Sequence, residues 1–393
     1  MPSAPTVKSN RKLRTLSTMT LAEQIAHLSK LNESTGPVIS VYLNTRWTDE
    51  HQRERTRLFL KSELQRARQT RLAEGLGDAF DWIETEGAAL IDQVSPVEAD
   101  GVALFACPAL GLREVIALRA PLENMFVLAD RPYLRPLTTV ESQTPATLVV
   151  FVDTESARLI PVLAGAAGEE LRLESDVPGH HRRGGWAQLA LGHYQRHIAE
   201  RRGRHLEAVA EALGRMVREH DIERIVVAGN SDVTAAFRRA LPPMVAARVA
   251  GVIPGRRHEP ASELAARAVD LIGQATTLET DAAVDAILTE AAKGGRAVAS
   301  LEGALEAMHR GAVDHLYMLR GFEERGRACQ GCAALQPGDA ATCRLCRHAT
   351  MGIELGEAMV TRTIAAGGAV TMLNAHAALS AAGGIAARLR FAL

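Results

Sequence analysis

Four cysteines constrain this chain more than any other feature. Cys329-Gln330-Gly331-Cys332 and Cys343-Arg344-Leu345-Cys346 are two Cys-x-x-Cys knuckles ten residues apart. Two such knuckles can place four thiolates tetrahedrally around one Zn²⁺, a closed structural site with no open coordination position. A redox dithiol needs only one knuckle, so the pair points to metal. Pro337-Gly338-Asp339 supplies the turn between them, and the spacing predicts a zinc ribbon over about residues 327–350. Metal binding on the order of 10 kcal/mol would fold a segment too small for its own core. His348 is close in sequence, but four sulfurs already complete the shell, so it reads as a bystander. The fifth cysteine, Cys107, stands alone beside an apolar run, where a buried inert thiol is the expectation.

The remaining composition sets limits. A chain of 393 residues has room for two to four domains. Its net charge of −1 excludes a protein coated in basic charge, so any nucleic-acid surface must be local. No apolar run reaches the eighteen or so residues that a membrane span needs. The first seventeen residues are Ser/Thr-rich with Lys8, Arg11, Lys12 and Arg14. They lack the apolar segment of a secretion signal, so they read as a loose basic tail on a cytoplasmic protein.

Apolar periodicity alternates between strand-like and helix-like along the chain, which predicts an α/β fold. Thr20 and Glu23 fit a capping box, ahead of a strand at 38–43, charged and apolar helices to residue 93, and three short strands ending near 128. Pro132, Pro136 and Pro145 mark a linker. A second unit follows, with a buried strand at 147–152, strands near 158–162 and 171–174, a strand at 225–229 before a capped helix, a strand at 249–253 and a helix at 259–273. A third opens with a helix from about 281 to 292. The expectation is three consecutive α/β domains: 1–140 of unclear role, 145–275, and 280–393 with the ribbon inserted.

Between the third strand of the second unit and its long helix lies Gly179-His180-His181-Arg182-Arg183-Gly184-Gly185-Trp186-Ala187-Gln188. From Gly179 to His205 there are six Arg and five His against one acid, Glu200. Paired glycines reach conformations closed to other residues and keep no partner away. The stretch reads either as a loop that approaches a polyanion or as a glycine turn capping a helix on a solvated basic face. Leu191, Tyr194, Ile198, Leu206, Val209, Leu213 and Val217 form one apolar stripe of that helix, and His193, Arg196 and His197 fall off it.

Three segments carry a resemblance. Ile225-Val226-Val227-Ala228-Gly229-Asn230-Ser231-Asp232-Val233, Ala307-Met308-His309-Arg310-Gly311-Ala312-Val313-Asp314-His315-Leu316 and Gly383-Gly384-Ile385-Ala386-Ala387-Arg388-Leu389-Arg390-Phe391 are similar to segments of the archaeal and eukaryotic class 1 peptide chain release factors. The chain looks most like their divergent bacterial branch, well over 145–393 and poorly before that. In that family a central Gly-Gly-Gln loop enters the ribosomal peptidyl transferase centre and promotes hydrolysis of the peptidyl-tRNA ester. The resemblance implies that Gly184, Gly185 and Gln188 carry the chemistry. It also implies that His181, Arg182, Arg183 and Arg196 hold tRNA and ribosomal RNA phosphates, and that Trp186 stacks on a base. Its partners would be the ribosome, tRNA and ribosomal RNA, with room for a translational GTPase.

The sequence departs from the family pattern in two places. Trp186-Ala187 separates the glycine pair from Gln188, and no stretch of the first domain matches the family's stop-codon-reading motif. Codon-independent rescue of stalled ribosomes therefore fits better than codon-dependent termination. The alternative is a non-catalytic ribosome or RNA-binding surveillance factor resembling Pelota. A zinc hydrolase built on His180 and His181 is disfavoured, because adjacent histidines point apart and no carboxylate follows at ligand spacing.

Overall fold

The computed structural model describes residues 20–31, 36–47, 49, 51–93, 99–163, 166–168, 170–174, 188–219 and 222–393. The predicted tail, residues 1–17, lies outside the described residues. The chain divides into two compact units, one of Met1–Ala117, Pro121–Glu141 and Val284–Leu393, the other of Leu118–Ala120 and Ser142–Ala283.

The first unit begins with α1 (Leu21–Ser29), started by the expected capping box. The Glu23 N–H donates to Thr20 Oγ1 and the Thr20 N–H to the Glu23 carboxylate, at 3.3 and 2.7 Å. Next come β1 (Val38–Asn44), α2 (Gln52–Ala67), α3 (Gly77–Gln93), β2 (Gly101–Cys107), β3 (Leu112–Leu118) and β4 (Met125–Ala129). The strands order as β3-β2-β1-β4, with β1 antiparallel to both neighbours. Ile39, Val41 and Leu43, alternate residues of β1, pack in one core with Leu60, Leu64, Phe80, Ile83 and Ile91 of the two helices. The other parity of β1 presents Tyr42, fully buried and edge-on to Phe105 at 5.9 Å. Cys107 is fully buried, as expected of an inert thiol.

Where the prolines predict a linker, the chain forms α4 (Arg135–Gln143). Pro136 is its second residue. First-turn N–H groups have no partner within a helix, so a proline there gives up nothing and its fixed φ suits the helix.

The second unit is built from β5 (Thr147–Val152), β6 (Ser156–Leu163), β7 (Ala166–Ala167), β8 (Leu171–Glu174), α5 (Gln188–Glu219), β9 (Arg224–Gly229), α6 (Ser231–Ala240), α7 (Pro243–Ala246), β10 (Val249–Ile253) and most of α8 (Ala261–Ala292). Its sheet runs β10-β9-β5-β6-β7, with β8 also on β6; β10, β9 and β5 are parallel. Both faces are covered, as the unbroken apolar run of β5 requires. Leu148, Val150 and Val152 pack with Leu206, Val209 and Leu213 of α5 and Phe237 of α6. Val149 and Phe151 pack with Leu264, Ala265, Ala268 and Ile272 of α8. Asn230 caps α6, its side chain accepting the Asp232 N–H at 3.0 Å. The helix expected to stop at Gly273 instead continues to Ala292. A mid-helix glycine costs about 1 kcal/mol relative to alanine, which burial of Leu264, Ala268 and Ile272 on the turns before it readily offsets.

The rest of the first unit is β11 (Ala297–Val298), α9 (Leu301–His309), β12 (Val313–Leu319), β13 (Arg325–Cys329), β14 (Leu335–Pro337), β15 (Thr350–Glu354), α10 (Leu355–Ala365), β16 (Ala369–Leu373), α11 (Ala377–Ala381) and β17 (Ile385–Leu389). One sheet orders as β11-β17-β12-β16, with Leu316 and Met318 of β12 buried among Leu305 and Met308 of α9 and Met359 and Val360 of α10. The ribbon is a separate antiparallel sheet, β14-β13-β15. Among the described residues no helix is long and apolar enough to cross a membrane.

Candidate functional site

His181, Arg182, Arg183, Gly184, Gly185 and Trp186 lie outside the described residues. Gln188 is the first residue of α5, and Arg196 lies eight residues along the same helix, about 12 Å further on its axis. The first N–H groups of a helix lack internal acceptors and its dipole leaves that end positive. No acidic residue occupies the first turn of α5 to neutralise it. The C-terminal half of the predicted stripe is buried as expected, with Leu206, Val209, Leu213 and Val217 all under a tenth exposed.

The four knuckle cysteines converge. Their sulfurs lie within 4.8 Å of one another, with Cys329 to Cys346 and Cys332 to Cys346 at 3.3 Å and Cys332 to Cys343 at 3.7 Å. Zn–S bonds of 2.3 Å at tetrahedral angles would separate sulfurs by about 3.8 Å, so the donor set fits one metal ion of that size with little adjustment. The two knuckles repeat one backbone pattern. The N–H groups of Ala333 and Arg347 donate to the carbonyls of Cys329 and Cys343 (3.0 and 3.1 Å). Those of Cys329 and Cys343 donate to Ala334 and His348 (2.9 and 2.8 Å). Ala333 and Arg347 are both left-handed, at φ 57° and 66°.

Backbone N–H groups also point at the sulfurs: Gly331 and Cys332 at Cys329 Sγ, both 3.3 Å, and Leu345 at Cys343 Sγ, 3.4 Å. Donation from Cys332, ahead of the other contacts, brings the Cys329 thiol down to about 6. Such donors favour the thiolate, the form that binds metal.

His348 is not one of the ligands, yet it is more than a bystander. A Cβ on Gly331 would fall 2.6 Å from His348 Cγ, so the imidazole lies directly on that glycine and ties the second knuckle to the first. Gln336, nearly fully buried, braces the ribbon further. Its amide donates to the carbonyls of Ala340 and Thr342 and accepts the Arg344 N–H at 3.0 Å.

Two side chains of the neighbouring helices hold the ribbon. Arg362 of α10 donates to the Ala333 carbonyl at 2.7 Å. Burial lowers its pKa and the Cys332 sulfur raises it again, so the guanidinium sits where it can offset thiolate charge. His309 Nε2, at the end of α9, accepts the Leu335 N–H at 3.0 Å. A ring nitrogen that accepts an N–H carries no proton, consistent with a pKa lowered by burial and then by Arg362. Nothing in the sequence pattern singled out either residue, because both act on backbone groups brought near only by folding.

Two further titratable groups of this unit are half-buried. Glu357 of α10 accepts the N–H groups of Leu134 and Arg135 and the Thr361 hydroxyl, at 2.7, 3.2 and 3.1 Å. Burial pushes its carboxyl up to about 7 against those donors. His315 of β12 stacks on Tyr317 with centroids 4.2 Å apart and meets Thr371 Oγ1 at 2.8 Å. Burial, then Arg388, brings it down to about 4.

Residues 132–272 match the model of bacterial archaeo-eukaryotic release factor family 10. Among solved structures, the chain is similar to an archaeal translation termination factor, aRF1, at 16% identity, covering 95% of this chain and 99% of that one with a TM-score of 0.27. It is similar to Dom34 of S. cerevisiae at 12% identity, over 78% and 77% of the two chains, with a TM-score of 0.41. A ribosome-bound archaeal Pelota is similar at 14% identity, over 95% and 94%, with a TM-score of 0.42. No curated protein matches the sequence.

Proposed function

We propose that this chain, which through residues 132–272 belongs to the divergent bacterial branch of the archaeo-eukaryotic release factors, works on the ribosome by promoting hydrolysis of the peptidyl-tRNA ester. One observation carries the reading. The family-matched segment contains the Gly184-Gly185 pair and Gln188, and Gln188 opens the long basic helix α5. Paired glycines let backbone approach an ester closely. A backbone N–H there can stabilise the oxyanion that develops as water attacks the ester carbonyl, and the Gln188 amide can orient that water while the ribose oxygen leaves. Arg182, Arg183, His181 and Arg196 would hold tRNA and ribosomal RNA phosphates, and Trp186 would stack on a base. The reaction proposed is codon-independent rescue of stalled ribosomes. A translational GTPase partner belongs to the same proposal, as do the cytoplasmic setting and structural zinc as the ion that the four cysteines would hold.

Single-turnover release of peptide from stalled ribosome complexes tests this. Gln188→Ala should slow release by about a hundredfold, the scale of losing one positioned polar group; equal rates would remove Gln188 from the mechanism. The two-residue separation of the glycines from Gln188 favours a second reading, a non-catalytic surveillance factor resembling Pelota. Tight ribosome binding without release by either protein would establish that reading instead.

A further inference from the structure

The two knuckles share a backbone but not a surface. In the first, Ala333 is held by Arg362, and Ala334 and Leu335 are buried; its outward residues, Gln330 and Gly331, are uncharged. In the second, Arg344, Leu345, Arg347 and His348 are all exposed, Leu345 by 67%. Among the described residues neither Arg344 nor Arg347 has an ion pair or a side-chain hydrogen bond. Elsewhere Arg55, Arg57, Arg66, Arg68, Arg158 and Arg257 each pair with a carboxylate. The one carboxylate between the knuckles, Asp339, is exposed and pairs with neither arginine.

We propose that this second knuckle is an RNA-contacting tip, with Arg344 and Arg347 on the phosphates of one strand. The Arg347 backbone is left-handed, a conformation that glycine adopts freely and that strains residues with a Cβ. The chain therefore holds a guanidinium at a position whose backbone would favour glycine. The knuckle beneath is rigid, closed by backbone hydrogen bonds and by donors to the sulfurs, so little ordering entropy is lost on contact. Two unpaired guanidinium groups present planar forks that match phosphate oxygens, with Leu345 between them in sequence as an apolar surface for a ribose. The choice of RNA over an acidic protein rests on the ribosomal reading above; the tip itself is independent of the glycine loop.

Anisotropy of a short fluorescein-labelled RNA hairpin titrated with the full chain, over a range of potassium chloride, tests the tip without reference to peptide release. Arg344→Gln/Arg347→Gly should weaken binding about tenfold at moderate salt and lower the slope of log K against log salt by about 1.5. Arg347→Gly alone relieves the left-handed backbone, so its loss of affinity is not a folding defect, and bound metal per chain should stay at the wild-type value. Ala333→Gly makes the same backbone change in the other knuckle with no change of charge, and should leave affinity and slope unaltered. Unchanged affinity and slope in the double variant would overturn the proposal. So would weakened binding to intact ribosomes with hairpin binding unchanged, which would make the tip a protein-docking surface.

Discussion

The Glu357 carboxylate accepts the backbone N–H of Leu134 at 2.7 Å, across 223 residues of sequence. The bond ties α10, beside the ribbon, to the start of α4, which follows the first sheet. Arg135 strengthens the same junction from the other side, donating to the Arg320 carbonyl at 2.7 Å and lying 3.5 Å from Glu354. Glu354 in turn caps α10 through the N–H groups of Gly356 and Glu357. The buried Tyr42 hydroxyl donates to the Tyr133 carbonyl next to it.

Replacing Glu357 separates its two contributions. Glu357→Ala leaves the Leu134 and Arg135 N–H groups buried without an acceptor and should cost about 2–4 kcal/mol. Glu357→Gln keeps an acceptor and removes the charge. The folded carboxyl titrates near 7, above its ordinary 4.5. The stability it confers is thus fully present below pH 4.5 and lost as pH rises through 7, a swing of about 3 kcal/mol. Urea unfolding across that range should show Glu357→Gln gaining on wild type as pH rises; parallel curves would refute the assignment.

His315 has the opposite sign. Its folded pKa, about 4, lies below the ordinary 6.5, so the unfolded chain binds the proton first and stability falls as pH drops from 6.5 towards 4, by about 3 kcal/mol. His315→Phe keeps the stacking on Tyr317 and removes the titration. Relative to wild type, the variant should become more stable as the solution is acidified. A constant difference between the two at all pH values would show that the imidazole does not titrate in this way.

Metal removal should act locally. A strong chelator is expected to release about one metal ion per chain and to open residues 325–354 to protease, because the ribbon core of Cys329, Ala334 and Cys343 is too small to fold alone. The sheet of the second unit has its own two-sided core and should keep its circular dichroism and its resistance. Cys343→Ser should reproduce the local effect; cooperative loss of the whole chain on chelation would contradict it.

Gly331 tests the contact between the knuckles. Its Cβ would meet His348 Cγ at 2.6 Å, so Gly331→Ala should destabilise the ribbon by about 1–3 kcal/mol. His348→Ala should cost less. The double variant should be less destabilised than the sum of the two, because removing the ring makes room for the methyl. Additive losses would mean that the clash is relieved elsewhere.

Much of this molecule is written in local sequence. The Thr20–Glu23 capping box, the capped helix after the strand at 225–229, the strand at 147–152 and the cysteine pairs each depend on residues a few positions apart, so spacing and propensity suffice to read them. The sequence also marked Gly179–Gln188, with His180, His181, Arg182 and Arg183 ahead of the paired glycines, as a dense basic stretch. Tertiary structure decided the rest. Pro136 starts a helix because a first-turn residue needs no N–H, and Gly273 stays helical because its neighbours bury an apolar stripe. Glu357, Arg362 and His309 matter through backbone groups up to 223 residues away. No local pattern encodes such partners, because a buried polar side chain acquires its meaning only when folding removes water and supplies a single neighbour.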